Sequence, residues 1–287
     1  MNTVRTVRPR VLILGGRGYL GQYFRGIYPE AVAPEVDIVD PRAVAQALDT
    51  HRPEVVINCA GRTGRPNVDW CESHQLETFQ VNVTGALVVM HACLERAMYL
   101  VYISSGCIYE GDNGGRGFGE EDPPNFTGSF YSRTKAWAEH IIRDFPVLTL
   151  RLRMPFDGTA SERNLIVKLC KYSRVLTAPN SLTHLPDFFR AAHALIERRA
   201  TGVYNVVNEG AMSPYEVVRR YSRSVEIGHR FEPLTAEQLP EVARAGRSNC
   251  LLSTAKLRDA GLALPPVEEA VDSALRQIAA ARKSSAA

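Results

Sequence analysis

The passage that most constrains this chain is a short apolar run, Val11–Leu14, that leads directly into Gly15-Gly16-Arg17-Gly18-Tyr19-Leu20-Gly21. A helical pattern begins at about Tyr19. A buried strand, a glycine turn and a helix start, in that order, make an anion cradle. Small residues let the backbone bend sharply and approach a pyrophosphate at the positive end of the helix. The Gly15-x-x-Gly18-x-x-Gly21 spacing differs by one residue from the GxGxxG form, but the steric need is the same. A tight turn with no ligand has the same local look. Its place at the head of a βαβ pattern selects the dinucleotide reading.

Beyond the turn, apolar runs alternate with helical patterns, which implies a parallel sheet. Helices are expected over Pro41–Thr50, Glu77–Ala97 and Tyr131–Arg143. Strands are expected over Val55–Cys59, Leu100–Ser104 and Val147–Leu152. Pro29–Asp40 is too short for a full second strand and helix, so that unit is abbreviated. After about Pro155 the pattern turns irregular, with helices near Glu162–Tyr172, Pro186–Arg198, Pro214–Tyr221 and Pro266–Ala280. The expected architecture is α/β: a Rossmann-like doubly wound parallel sheet over residues 1–155. Residues 156–287 form mainly a small substrate-binding lobe, with some segments returning to the sheet. Ligands in such folds sit outside the carboxyl ends of the strands.

Bulk properties exclude several classes. The net charge of +3 is too small to argue for nucleic acid, and part of it lies in an N-terminal arm, Arg5, Arg8 and Arg10, read as a solvated end. No apolar run approaches the ~18 residues of a membrane span. The first ten residues lack a signal-peptide core. Cys59, Cys71, Cys93, Cys107, Cys170 and Cys250 are scattered without a CxxC pair. Neither a zinc ribbon nor a disulfide framework is indicated, no metal is expected, and a cytoplasmic location fits. Cys71 and His74 form a lone C-x-x-H, read as loop packing or a substrate contact.

Asp37, in Val36-Asp37-Ile38, falls after the shortened unit and is placed near an adenine rather than a ribose. Arg17 lies in the glycine turn, where it can pair with a 2′-phosphate. That favours NADP(H) over NAD(H).

Tyr131-Ser132-Arg133-Thr134-Lys135 puts Tyr131 and Lys135 at i and i+4, on one face of a helix. A nearby ammonium favours a phenolate, so the Tyr131 pKa is expected below the usual value of about 10. Tyr131 can then exchange a proton with a carbonyl oxygen. YxxxK alone also describes an ordinary surface pair. Ser104-Ser105 and Asn58-Cys59-Ala60-Gly61 at strand ends, and Asn82 in Val81-Asn82-Val83-Thr84-Gly85, raise its specificity. Together these resemble the extended short-chain dehydrogenase/reductases. The resemblance implies a catalytic Ser105, Tyr131 and Lys135. It also implies cofactor contacts from Gly15, Arg17, Gly18, Tyr19, Leu20, Gly21, Asp37, Ile38, Cys59, Ala60, Gly61, Asn82, Tyr131, Lys135 and Met154.

A narrower resemblance rests on longer stretches. These are Gly61–His74, Gly106–Glu110, Pro124–Ser132, Arg151–Pro155, Arg163–Lys168, Pro179–Ser181 and Arg247–Asn249. They resemble the plant and viral nucleotide-4-keto-rhamnose 3,5-epimerase/4-reductases, related to dTDP-4-dehydrorhamnose reductases. Phe156–Glu162 departs from the plant pattern. Protons on C3 and C5 of a 4-keto sugar are acidic because they flank a carbonyl, so inversion there needs a base, an acid and enolate stabilisation. The resemblance assigns these tasks to Cys107 as base and Lys168 as acid; otherwise Cys107 reads as a small packed hydrophobe. It places a nucleotide-diphosphate sugar against Arg65, Asn67, Asp69, Ser105, Gly106, Cys107, Asn125, Asn164, Lys168, Asn180, Ser181, Arg247 and Asn249. A homodimer is expected by analogy only. The alternatives are an enzyme keeping only the reductase or only the epimerase step, and a non-catalytic NADP(H)-binding regulatory subunit.

Overall fold

Alternation along the strands sets the layers. The computed structural model describes residues 9–286. It begins with β1 (Val11–Leu14), α1 (Tyr19–Ile27), α2 (Pro41–His51) and β2 (Val55–Asn58). Short helices α3 (Asp69–Ser73) and α4 (Gln75–Phe79), a π-helical turn over Gln80–Gly85, and α5 (Ala86–Glu95) lead to β3 (Tyr99–Ser105). Then come α6 (Phe130–Ile142) and β4 (Leu148–Leu152). The chain leaves the sheet through β5 (Pro155–Phe156), α7 (Leu165–Leu169), β6 (Arg174–Leu176) and β7 (Thr183–His184). It returns in α8 (Leu185–Glu197) and β8 (Gly202–Asn205), and α9 (Pro214–Ser224), β9 (Glu232–Leu234), α10 (Ala255–Asp259) and α11 (Val267–Ala286) follow.

The main sheet is parallel throughout, in the order β1-β2-β3-β4-β8. Val11, Ile13, Val55, Ile57, Val101 and Ile103 point to the face covered by α1 and α8. Their neighbours Leu12, Leu14, Val56, Leu100 and Tyr102 point to the opposite face, under α2, α5 and α6. This two-residue period with helices on both sides is the Rossmann-like doubly wound α/β fold. Each such buried aliphatic contributes about 1.5–3 kcal/mol of apolar burial. Phe156, Val175, Val217, Val271 and Leu275 belong to a separate core in the lobe. Among the described residues, no helix is long and apolar enough to cross a membrane.

Pro29–Asp40 is abbreviated as expected, reduced to one bridge, Leu12 to Val32, with Ile13 N donating to Val32 O at 2.9 Å. Three local findings qualify the sequence reading. The helix expected over Glu77–Ala97 is broken by the π-helical turn. Gly85 there packs so closely on Ile38 that a Cβ would stand 2.7 Å from its Cδ1. The helix expected over Glu162–Tyr172 shrinks to α7, because Asn164 caps it, accepting from Ile166 N at 3.1 Å. Arg5 and Arg8 lie outside the described residues. Arg10 is not a loose end: its backbone N–H donates to Glu54 at 3.0 Å and its Nε to Arg52 O at 2.9 Å.

Candidate active site

The first four strands end at the same edge. β1 delivers the glycine turn, β2 the Cys59–Gly61 loop, β3 Ser105, and β4 the Arg153–Pro155 crossing into the lobe. A cavity of about 280 Å³ opens there. Gly18, Tyr19 and Leu20 line it from α1, Cys59, Ala60 and Gly61 from the β2 loop, and Met154 from the crossing. Ser105, Tyr131, Lys135, Asn82 and Lys168 line it as well.

The turn is sterically closed to larger residues. Gly15 has φ +73°, and a Cβ on it would stand 2.7 Å from Ala60 N. A Cβ on Gly21 would stand 2.3 Å from Gly15 O. Gly21→Ala must therefore open the turn, and we expect at least a tenfold loss of NADPH affinity with the fold retained. Fluorescence titration of NADPH checks this; unchanged affinity would remove the turn from the cofactor site. Arg17 is exposed and pairs with Glu35, so its guanidinium is shared with a carboxylate. Asp37 is exposed and accepts from Val39 N at 3.0 Å. Ile38 is buried under α5. The Tyr19 phenol donates to Asp157 at 2.6 Å, fastening the start of α1 to the lobe. Burial and the Asp157 carboxylate together hold that phenol above the usual tyrosine range.

Local capping sets the start of α6. Ser129 accepts from Ser132 N at 3.1 Å at the N-terminus of α6, and Glu72 accepts from Phe130 N at 2.6 Å. One turn in, Tyr131 and Lys135 share the face turned toward β3. Lys135 is 5% exposed, and its Nζ donates to Tyr102 OH at 2.7 Å and Ile103 O at 2.9 Å. Burial pushes its pKa down to about 8, opposed by Cys107 and Glu139. Ser105 hydrogen-bonds the Tyr131 phenol.

The electrostatics correct one expectation. Burial pushes the Tyr131 pKa up, not down, and the neighbouring Cys107 adds to this. The Ser105 hydrogen bond and the Arg153 charge oppose the rise. Desolvation outweighs the ammonium because Lys135 is itself buried and turned onto Tyr102 and the Ile103 carbonyl. Burial acts in the same way on Cys107. It is 7% exposed and lies in the turn Gly106–Ile108, where its N–H donates to Ser105 Oγ at 3.3 Å. Burial raises its pKa; hydrogen bonds from Ser105 and Ser132, then the charges of Arg153 and Lys135, pull it back. Lys168 is half-buried, with its pKa lowered by burial and then by Arg163.

Two further cavities adjoin. One of about 620 Å³ shares Thr63, Arg163 and Lys168 with the first and adds Arg65, Lys171 and Tyr172. Another of about 270 Å³ shares Met154 and is lined by Asn67, Tyr172, Val242 and Arg247. Met154 stands where the first and last meet, with φ +45°, a left-handed conformation costly for a side-chain-bearing residue.

Several expected substrate residues also make hydrogen bonds within the fold. Asp69 accepts from Arg247 at 2.8 and 3.1 Å and from Ala245 N at 2.9 Å. Asn67 accepts from Asp69 N at 2.9 Å. The Asn125 amide pairs with both backbone groups of Glu110. Asn164, buried, bonds Asp157 and caps α7. Asn180 bonds Arg153, Cys250 N and Asn249, and Ser181 accepts from Leu252 N. Gly106 packs against Leu252, where a Cβ would stand 2.5 Å from Cδ1. The loop after Cys107 is stitched to residues 249–253 by the Gly111–Cys250 and Phe118–Leu252 bridges, which turns these amides inward. Asn82 lines the cavity, but its amide pins the Arg62 backbone to Thr134. The sequence reading missed Thr63, Ile103, Ser104, Leu152, Pro155 and Arg163 as lining. It also missed Tyr102, whose apolar context on β3 gives no hint that its hydroxyl meets Lys135.

Residues 9–280 match the RmlD substrate binding domain model. A bifunctional dTDP-4-dehydrorhamnose 3,5-epimerase/dTDP-4-dehydrorhamnose reductase of Arabidopsis thaliana is 40% identical over 226 residues, covering 76% of this chain and 75% of the relative. A trifunctional UDP-glucose 4,6-dehydratase/UDP-4-keto-6-deoxy-D-glucose 3,5-epimerase/UDP-4-keto-L-rhamnose-reductase of the same plant is 37% identical over 259 residues. That alignment covers 86% of this chain but 39% of the longer relative. The crystal structure of the UDP-rhamnose synthase of Acanthamoeba polyphaga mimivirus superposes with a TM-score of 0.89 at 29% identity, covering 94% of this chain and 99% of that one.

Proposed function

The chain belongs to the RmlD substrate-binding domain family, and from that premise we propose that it is an NADPH-dependent 3,5-epimerase/4-reductase. Its substrate is a nucleotide-diphosphate-linked 4-keto-6-deoxyhexose, and its product a deoxysugar such as L-rhamnose. One observation carries the reading. Ser105, Tyr131 and Lys135 line a cavity that shares Lys168 and Arg163 with a neighbour bearing Arg65 and Lys171. A ketone at the first and a diphosphate at the second would each meet the chemistry it needs.

The glycine turn fits a dinucleotide, since its Cβ-free positions leave room for close backbone approach. NADPH, when bound, supplies the hydride for C4. Ser105 and Tyr131 orient the C4 oxygen, and Tyr131 delivers the proton. Its raised pKa keeps it protonated near neutral pH, as an acid in the reductive direction must be. The N–H of Lys135 not used on Tyr102 and Ile103 holds the ribose. For epimerisation, Cys107 removes the proton from C3 or C5, and Lys168 returns one on the other face. The six free thiols support a cytosolic setting, and a homodimer rests on analogy.

Lys135 sets the pH dependence. It is charged below about pH 8 and neutral above, so kcat/KM for reduction, which reports the free enzyme, should fall as pH rises through that value. A profile flat well beyond it would contradict the role. A second reading, a reductase without epimerase activity, is favoured by the burial of Cys107 outside the cavity wall. NADPH oxidation with a 4-keto-6-deoxy nucleotide sugar tests the shared claim; no oxidation with either a uridine or a thymidine diphosphate sugar would end both readings.

A further inference from the structure

Arg153 is the first residue beyond β4, at the crossing into the lobe. It is 7% exposed. Its Nη2 donates to Asn180 Oδ1 at 2.6 Å and to the Ser248 carbonyl. Its Nε is buried without a hydrogen-bond partner. Arg151, two residues earlier, is neutralised by Glu139 at 2.6 Å; among the described residues, Arg153 has no carboxylate within ion-pairing distance. A buried guanidinium that lacks a counter-ion is unfavourable unless charge of the opposite sign forms beside it.

The network points to where that charge forms. Asn180 Oδ1, which accepts from Arg153, also accepts from Cys250 N at 3.1 Å. Cys250 Sγ donates to Gly106 O at 3.2 Å, one residue from Cys107. Arg153 and the Cys107 turn are thus fastened to one segment. We propose that Arg153 is the standing counter-charge of a Cys107 thiolate, a positioning residue that makes this thiol a base. This rests on the reading of Cys107 as the epimerase base. When the thiolate takes a proton from C3 or C5, the C–H electron pair moves into the enolate ending on the C4 oxygen. The thiol so formed is neutral, and Arg153 keeps its charge throughout.

The other groups facing Cys107 are Ser105 and Ser132 through hydrogen bonds, the Lys135 cation, and the Tyr131 and Tyr102 phenols. Of the two cations, Lys135 already has Tyr102 and a backbone carbonyl as partners. The N–H that Lys135 keeps is the one given to the ribose, whereas the buried Nε of Arg153 has no partner.

The test follows the thiolate absorbance of Cys107 against pH, taken as the difference from a Cys107→Ala protein. In Arg153→Met the midpoint should rise by about one unit, a tenfold loss of thiolate at a given pH. Substrate deuterium exchange should drop by about the same factor near neutrality and recover as pH is raised. NADPH affinity should stay unchanged. Arg153→Lys should keep the wild-type midpoint although it loses the fork to Asn180 and Ser248. Asn180→Asp covers the case in which Arg153→Met does not fold: a carboxylate beside the guanidinium should raise the Cys107 midpoint with Arg153 intact. An unmoved midpoint in Arg153→Met or Asn180→Asp, or a rise in Arg153→Lys as large as in Arg153→Met, overturns the proposal. Exchange persisting in Cys107→Ala would instead sink the reading of Cys107 as base and leave the titration result standing.

Discussion

Replacing Tyr131 with Phe should lower NADPH-dependent reduction by about 10²–10⁴-fold, the usual worth of a positioned proton donor, while leaving NADPH affinity within a factor of a few. The phenol lines the cavity, is hydrogen-bonded with Ser105 and is held protonated by burial. Removing one oxygen takes away the proton that the C4 alkoxide needs as hydride arrives. The ring remains, so the packing of α6 against β3 is preserved. Lys135 keeps its bonds to Tyr102 and Ile103, neither of which involves Tyr131. Steady-state rates together with a cofactor titration separate the outcomes. Near-wild-type reduction would remove Tyr131 from the chemistry. A parallel collapse of NADPH binding would show a structural effect.

Replacing Cys107 with Ala should abolish deuterium uptake at C3 and C5 of the keto sugar, a loss of at least about a hundredfold for the missing base. Reduction of a substrate already inverted at both centres should continue at close to the normal rate. Ala fits the buried site without overpacking, and the Cys107 N–H bond to Ser105 is a backbone bond that survives. Uptake that persists would assign the base elsewhere. Loss of both activities together would make Cys107 a packing residue that holds Ser105 in place.

Much of the architecture is legible in the chain because it rests on short-range patterning. Val11–Leu14 with its glycines and the alternation of apolar runs with helical patterns each act through neighbours in sequence. The same holds for Tyr131 and Lys135, which one helical turn brings together. Legibility fails where an effect is set by long-range packing. The π-helical turn at Gln80–Gly85 packs its Gly85 on Ile38, more than forty residues earlier. The upward push on Tyr131 depends on burial, which spacing does not report. Asn180, Ser181 and Asn249 sit in a recognisable stretch, yet the strand-like pairing of residues 249–253 with the Gly111–Phe118 loop turns them into internal struts. Arg153 carried a signal that went unread. A second buried arginine just past a strand, with a carboxylate for the first and, among the described residues, none for itself, is costly unless it acts.

The most direct measurement is the isotopic pattern of the product made in heavy water from a 4-keto-6-deoxy nucleotide sugar and unlabelled NADPH. Solvent deuterium at C3 and C5 with ordinary hydrogen at C4 is the result expected of a proton-exchanging thiol and a phenol-assisted hydride transfer in one protein. A deoxysugar carrying solvent deuterium at C4, or no NADPH oxidation at all, would contradict it.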